Sequence, residues 1–407
     1  MSRSIVDLHR RALQPEKPVS RGPSVLRDIN LRTILRLLRE HDQCSCSDLA
    51  RNSGLSMPTV AGNVARLERI GLAKRVGTGN SSGGRPPRLL RFNHEYGYAV
   101  GVDITESRIR VGIADLAGEI AGELAVDVGE KSWPMAVVDQ VAAVVGELRE
   151  SLRIPAKRLL AMGVAVPGIT DVDSGTVVAV PTMQGWENVP LGRLLEEKVR
   201  IPVTVENDVN LAALGEHWYG TAQGERNFVF VHLGRGVGAG LFINGQLHHG
   251  PEWTAGEIGY LLVPSSGIQA VRKSQGGALE REIGTCGIER QWNELVVPGA
   301  APPATPLRAV EVLDRAAAGD KVARQILDSV SQRVAMVCSH LSLILNCSLI
   351  VFGGELGVHP ALLPAVARLL EAHDFAHPRL TTTQLGVKAE LHGALRLALE
   401  SAEAALV

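Results

Sequence analysis

The sequence predicts an α/β protein in which a winged helix-turn-helix module precedes two related α/β lobes. Three observations predict it. A short helix, a glycine turn and a further helix follow one another from Ser47 to Ile70. The order apolar strand, polar or glycine-rich turn, apolar strand occurs twice, as YAVGVDI-TES-IRVGIADLAG from Tyr98 and as FVFVHLGRGVGAGLFINGQL from Phe228. An apolar strand, Val203 to Val205, gives way to a helix-like run from Asn210, with Asn207 and Asp208 at the junction. In α/β sheets that junction is where ligands bind.

Length and charge set the bounds. A chain of 407 residues, 45% of them hydrophobic, has enough apolar material for two or three domains. The net charge of −1 conceals a division. Residues 1–93 hold 17 Lys and Arg against 7 Asp and Glu, whereas residues 94–407 hold 25 against 36. The amino-terminal end is therefore suited to a polyanion and the remainder is not. No stretch approaches the ~20 apolar residues of a membrane span. The start MSRSIVDLHRR has no apolar signal core, which predicts a cytosolic protein without a membrane partner. Five scattered cysteines, Cys44, Cys46, Cys286, Cys338 and Cys347, fit reduced thiols better than a disulfide framework, and Cys44-x-Cys46 has no partners at metal spacing.

Residues 1–23, rich in Arg, Pro and Ser, predict a flexible arm, and residues 24–93 the winged module. Ile29, Leu31, Ile34, Leu35, Leu37 and Leu38 recur at helical spacing from Asp28 to His41. A second helix, Ser47 to Asn52, ends at Gly54, and Ser56 caps a third that runs to Ile70. Val60, Val64, Leu67 and Ile70 form its apolar stripe. Met57, Thr59, Asn63 and Arg66 occupy the other face, where short polar side chains near a helix start suit a major groove. LAKRVGT and RLLRFN then read as strands flanking the loop GNSSGGRPP, whose Arg85 is placed to enter a minor groove. The DNA-facing candidates are Ser56, Thr59, Asn63, Arg66 and Arg85, with Lys74, Arg75 and Arg88 on phosphates.

The remainder divides into a first lobe from residue 97 to 208 and a second from residue 209 to 389. A helix from Met135 to Leu152 and a strand from Leu160 to Val166 continue the first lobe, ending at Pro167-Gly168. The second lobe carries helices at Lys321–Leu345 and Pro360–His373 around the strand SLIVFGG, and a last helix is predicted from Arg396 to Leu406. Asn207, Asp208 and Glu257 are expected to converge on the glycine-spaced turn 234–240. Carboxylates beside bare glycines suit a ligand with many hydroxyls, which is a sugar. Capping of a helix by Asn207 and Asp208 is the plainer role for that pair. His248-His249 reads as a surface hairpin rather than a metal pair, and Trp186 either walls the pocket or packs.

E-N-D-V-N at 206–210, G-x-G-V-G-A-G at 234–240, A-G-E-I-G at 255–259 and the DNA-binding region together resemble the ROK family of repressors and sugar kinases. The resemblance implies a duplicated, actin-like (ribonuclease H-like) sugar kinase fold behind the winged module, with a ligand cleft between the lobes and residues 390–407 returning to the first lobe, 97–208. It also implies that Gly168, Asn207, Asp208, Glu257 and Glu280 face a sugar, with Asp208 at the position of the kinases' general base. The family's kinases carry D-x-G-G-T where this chain has Asp103-Ile104-Thr105-Glu106-Ser107. Arg235 replaces a threonine at the second phosphate turn, and Glu355 replaces a glycine in the later glycine run. The family's zinc ligands fall at Tyr260, Val271, Lys273 and Ala278, which predicts no metal and no cofactor.

These departures predict a regulator rather than an enzyme. Its expected partners are double-stranded operator DNA, a small-molecule sugar or sugar derivative, and further copies of itself in a homodimer or homotetramer. A sugar kinase with an added DNA-binding domain, or a repressor governed by a protein partner, are the alternatives.

Overall fold

In the computed structural model, residues 23–79, 86–129, 133–262, 276–296, 307–371 and 378–406 are described, with side chains from residue 29 onward. The predicted arm up to residue 22, Arg85, Val271 and Lys273 lie outside the described residues, and Pro23, the arm's last residue, instead opens the first helix. The chain forms two compact units, which divide between Tyr96 and Gly97.

The first unit contains α1 (Pro23–Glu40), β1 (Cys44–Ser45), α2 (Cys46–Ser53), α3 (Met57–Ile70), β2 (Ala73–Thr78) and β3 (Arg88–Phe92). Ser45 starts α2 with a reciprocal cap. Its hydroxyl accepts from the Asp48 amide at 3.2 Å, and its amide donates to Asp48 Oδ2 at 3.0 Å. The turn into α3 ends α2 at Gly54 with φ of 69°, a left-handed conformation that glycine adopts without a Cβ clash. Ser56 caps α3 as expected, accepting from the Thr59 amide. Leu31, Ile34, Leu38, Leu49, Val60, Leu67 and Phe92 are buried and fuse the three helices to the wing. The sheet order is β1-β3-β2 and all pairings are antiparallel. Strand β1 was not legible in the sequence because two residues carry no periodicity.

In the second unit, β4 (Tyr98–Ile104), β5 (Arg108–Asp115) and β6 (Ile120–Asp127) lead to α4 (Pro134–Ser151) and β7 (Leu159–Val166). A small sheet follows, made of β8 (Ile169–Asp171), β9 (Thr176–Ala179) and β10 (Glu187–Val189). Next come α5 (Leu191–Val199), β11 (Val203–Asn207) and α6 (Asp208–Tyr219). The second lobe holds β12 (Phe228–Leu233), β13 (Val237–Ile243), β14 (Gln246–Leu247), α7 (Glu280–Ile283), α8 (Thr285–Val296), α9 (Ala309–Ala317) and α10 (Lys321–Leu345). Strand β15 (Leu349–Gly353), α11 (Gly354–Gly357), α12 (Leu362–Leu370) and β16 (Arg379–Thr382) complete it, and α13 (Ala389–Leu406) closes the chain.

The two sheets have one topology. Their orders are β11-β7-β4-β5-β6 and β14-β13-β12-β15-β16. In each, the first strand pairs antiparallel with the second and parallel with the fourth. The duplication inferred from two sequence stretches thus extends to whole sheets, and the fold is the two-lobed α/β arrangement expected. The first lobe's core gathers Val100, Val102, Val111, Val138, Val164 and Val205, and the second lobe's gathers Val231, Leu313, Ile326, Val334, Ile350 and Phe352.

Several predicted boundaries are corrected. Helix α13 begins at Ala389 rather than Arg396, because Leu391, Ala394 and Leu395 already face inward a turn earlier. Helix α12 covers only Leu362–Leu370 of the predicted 360–373. Helix α6 starts at Asp208 rather than Asn210, since Asn207 is its cap. Strand β6, the small sheet and α5 had no counterpart among the elements expected from the sequence.

Helix α13 lies close against the first sheet. A Cβ added at Gly163 on β7 would stand 2.1 Å from the Ala394 carbonyl oxygen, so only glycine permits that approach. Its in-register neighbour Gly101 on β4 faces Leu395 in the same way. Helices α6 and α13 also cross at backbone contact, Gly215 against Ala389 and Gly393 against Leu211.

Candidate functional site

The strands and helix starts of both lobes leave a cavity of about 510 Å³. Gly168, Asn207, Asp208, Glu257 and Glu280 all line it, so one site collects residues spread over more than a hundred positions.

Asn207 ends β11 and caps α6. Its Oδ1 accepts from the Asn210 amide at 3.0 Å, while its Nδ2 donates to the Gly168 carbonyl at 3.0 Å and to Asp208 Oδ1 at 3.1 Å. The capping role is real, and it coexists with a place on the cavity wall. Gly168 has φ of 88°, and a Cβ there would meet the Ala179 carbonyl at 2.2 Å. The loop therefore reaches Asn207 only as glycine. Asp208 opens α6, and its Oδ1 accepts from the Val209 amide at 2.8 Å. Burial pushes its carboxyl up to about 7, and the nearby Asp103 and Glu257 carboxylates add to this against the backbone hydrogen bond. Glu280 Oε2 accepts from the Val237 amide at 3.1 Å, and burial raises the pKa of this carboxyl. Glu257 sits just before the single turn Ile258–Tyr260 and faces the same space.

The structure adds members that the sequence did not reveal. Arg110 on β5 donates to Asp103 Oδ2 at 2.7 Å, and Asp103 is buried with its Oδ1 lacking a hydrogen-bond partner. Burial raises the Asp103 carboxyl although Arg110 opposes it. Glu390, at the start of α13, lines the cavity, and burial together with Asp103 raises its pKa. Its helix was expected to begin only at Arg396, which left the residue unnoticed. His232 at the end of β12 is kept neutral, its imidazole pushed down to about 4 by desolvation. A histidine in the apolar run FVFVHL, next to a glycine turn, was the available signal.

At the other end of the cavity the two substituted turns meet. Glu106, in the β4–β5 turn, forms an ion pair with Arg235 in the β12–β13 turn, across 129 positions of sequence. Glu355 also lines this end.

His248-His249 directly follows the β13–β14 hairpin, as β14 stops at Leu247, with His248 exposed and His249 half-buried. His249 Nε2 lies 2.6 Å from Oε2 of buried Glu206, whose Oε1 accepts from the Asn207 amide at 2.8 Å and from Asn210 Nδ2 at 3.0 Å. The hydrogen bond to Glu206 raises the His249 pKa. This half-buried histidine therefore braces the Asn207 junction from behind. Trp186 is fully buried in the first lobe's core and does not line the cavity.

The family's zinc does not fit this chain. Tyr260 lines the cavity and Ala278 is buried, and neither is a nitrogen or sulfur ligand. Among the described residues no group of three or more His, Cys, Asp or Glu could hold a metal ion. No helix among them is long and apolar enough to cross a membrane.

On the winged unit, Ser56 and Arg66 are exposed and Thr59 and Asn63 half-buried at one flank of α3. Asn63 Nδ2 donates to the Thr59 carbonyl at 2.9 Å. Arg75 is held in two contacts by Glu68, its Nη2 at 2.9 Å from Oε2, and Lys74 lies 3.5 Å from Glu95. Those two cations must change partners to reach a phosphate.

A duplicated α/β fold around a carboxylate-rich cleft, in a chain that also carries a winged helix-turn-helix, defines a DNA-binding regulator built on a sugar-kinase fold. Residues 99–401 match the ROK family model and residues 27–74 a winged helix-turn-helix DNA-binding model; the chain belongs to the ROK family. It is 31% identical to the putative xylose repressor of Caldicellulosiruptor sp. strain Rt8B.4 over 59% of this chain and 60% of that protein. It is 26% identical to the xylose repressor of Caldicellulosiruptor bescii over 82% and 84%. Its fold is similar to a solved ROK family transcriptional regulator, a homologue of the E. coli MLC protein, with a TM-score of 0.76 over 93% of this chain and 97% of that one at 19% identity.

Proposed function

We infer that the protein is a sugar-responsive DNA-binding transcriptional regulator, a repressor of carbohydrate uptake or catabolism genes that a sugar releases from its operator. One observation carries the sensing half. The five residues chosen for a sugar line a single cavity, while Glu106 and Arg235 pair with each other at the turns where a kinase would hold polyphosphate. Carboxylates and an amide accept and donate to neighbouring hydroxyls, and the glycine walls let backbone approach the ring. With the phosphate turns occupied by side chains, Asp208 acts as a hydrogen-bond acceptor and not as a base, and the protein does not phosphorylate its ligand. The segment 24–93 is the reading head, residues 97–208 with 390–407 and residues 209–389 the two jaws.

Thr59, Asn63 and Arg66 read base edges from α3, helped by Ser56 at its start, and Arg85 enters a minor groove. A homodimer or homotetramer, acting in the cytoplasm, would present paired heads to a pseudo-palindromic operator. The sugar acts by preferring one arrangement of the lobes, and a coupling of ~1–3 kcal/mol changes operator affinity by roughly fivefold to 150-fold.

The test joins operator binding by fluorescence anisotropy with a panel of sugars. Xylose heads the panel because relatives are named xylose repressors. A sugar that binds by calorimetry and lowers operator affinity supports the reading. Tight operator binding with no response to any sugar would point instead to a protein partner. ATP-dependent phosphorylation of a bound sugar, abolished by Asp208→Asn, would establish a kinase.

A further inference from the structure

The charge on the cavity wall narrows the class of effector. Two arginines occur among the described residues that line it, and both are engaged. Arg110 donates to buried Asp103 at 2.7 Å, and Arg235 is paired with Glu106. Beyond those two carboxylates the wall carries Asp208, Glu257, Glu280, Glu355 and Glu390, and Asp103 retains one buried oxygen without a partner. Its histidine, His232, is held neutral, so it brings no positive charge.

An anionic group entering this space meets a wall with seven acidic side chains against two arginines, and finds no described cation that is not already bonded. To capture it, Arg235 or Arg110 must give up a partner, leaving Glu106 or the buried Asp103 uncompensated. For buried Asp103 that loss is strongly unfavourable; the more exposed pair of Arg235 with Glu106 is weak, and there the obstacle is the Glu106 carboxylate left beside the incoming anion. A hydroxyl or an ammonium, by contrast, is a donor and meets acceptors. Glu106 and Arg235 come from equivalent turns of the two lobes, so their pairing takes up the two places where backbone amides would otherwise greet an anion.

We propose that the site takes a free sugar, neutral or bearing an amine, and excludes phosphorylated and carboxylated sugars. This inference rests on the sugar-sensing reading above. It deepens that reading by fixing the charge of the ligand, with Glu106 and Arg235 as the residues that set the discrimination.

The experiment uses the full chain and matched probes: xylose, glucose, glucosamine and glucose 6-phosphate, then N-acetylglucosamine and its 6-phosphate. Binding is read by calorimetry and operator release by anisotropy at fixed ionic strength. The expected result is that a free sugar binds and its 6-phosphate binds at least about a hundredfold more weakly, in line with several unfavourable charge contacts. Glu106→Gln, which releases Arg235 from its partner, is expected to narrow that ratio about tenfold while operator affinity without sugar stays as in the parent. A 6-phosphate that binds as tightly as its free sugar overturns the proposal, and so does a ratio untouched by Glu106→Gln. If neither member of any pair binds while the operator does, the sugar-sensing reading itself is what fails.

Discussion

The two lobes share a strand order and differ in what fills it. In the first sheet the centre is glycine: Gly112, Gly101 and Gly163 lie in register on β5, β4 and β7, and α13 comes to backbone distance at Gly101 and Gly163 and rests on Gly112 through the Leu391 and Leu395 side chains. In the second, Phe228 and Phe230 on β12 and Phe242 on β13 pack among Leu211, Ala212 and Ala213 of α6. One helix is held chiefly by fit and the other chiefly by side-chain bulk. Gly240 on β13 is a point where the second sheet also meets its helix at backbone distance, since a Cβ there would stand 2.7 Å from the Val209 oxygen. The equivalent turns differ in sign, Glu106 against Arg235, and that difference draws them together. Duplication places equivalent residues opposite one another, so divergence in the copies creates a contact that neither copy could make alone.

The largest effect should separate the two ways of holding a helix. Gly163→Ala sets a methyl 2.1 Å from a backbone oxygen that cannot move alone, and a loss above ~3 kcal/mol is expected from such overpacking. Gly238→Ala in the second lobe meets only the Val209 side chain at 3.3 Å and should cost ~1 kcal/mol or less. Thermal unfolding of both variants is the check; equal melting temperatures would mean that the lobes are packed alike.

Next in size are the functional variants. Glu257→Ala should abolish the sugar response with operator affinity intact, as the residue lines the cavity. Arg66→Ala should leave sugar binding as it was and cost ~1–3 kcal/mol at one operator position, relaxing specificity there. A binding profile over single-base operator variants distinguishes that outcome from a uniform loss.

A smaller effect concerns pH. With Asp208 pushed up to about 7, its carboxyl is largely protonated at pH 6 and ionised at pH 8. The ionised form accepts from hydroxyls through Oδ2, which the protonated form surrenders, so sugar affinity should rise over that interval, by up to about tenfold. The slope should be shallower in Asp208→Asn. The same raised pKa makes this group's contribution to ligand-free stability fall as pH climbs from 3.8, its ordinary value, to about 7. Melting curves without sugar should move in the direction opposite to the affinity.

Smallest of all is Arg235→Ala. The Arg235 side chain is 61% exposed, so its pair with Glu106 should stabilise the fold by less than ~1 kcal/mol, and salt should mask the difference.

How much of this could be read in advance follows from the kind of signal each part sends. The three helices of the head and the long α10 were legible because apolar spacing over several turns is unambiguous, and Ser56 and Gly54 mark their ends chemically. Asn207, Asp208 and Glu257 stood out because polar residues interrupt apolar or glycine-rich runs. Strand β6, by contrast, has an alternating, half-exposed pattern, IAGELAVD, that also suits a loop edge. Glu390 and Arg110 could not be recognised because burial is what makes them notable, and burial belongs to the assembled sheets. The partnership of Glu106 with Arg235 was equally hidden. Each residue was visible as a departure, but attraction over 129 positions requires knowing that the two turns face each other.

The seating of α13 on β4 and β7 has a consequence for the order of events during synthesis. Among the described residues the strands of the head pair only with one another, all within residues 44–92, so it can mature soon after leaving the ribosome. Gly101 and Gly163, early in the sensor, wait for Leu395 and Ala394 near the far end. Non-local closure of that kind is slow. A message cut short before residue 389 would yield a competent reader of DNA whose sheet lacks its cover, which makes the last helix the step that places an operator under the control of a sugar.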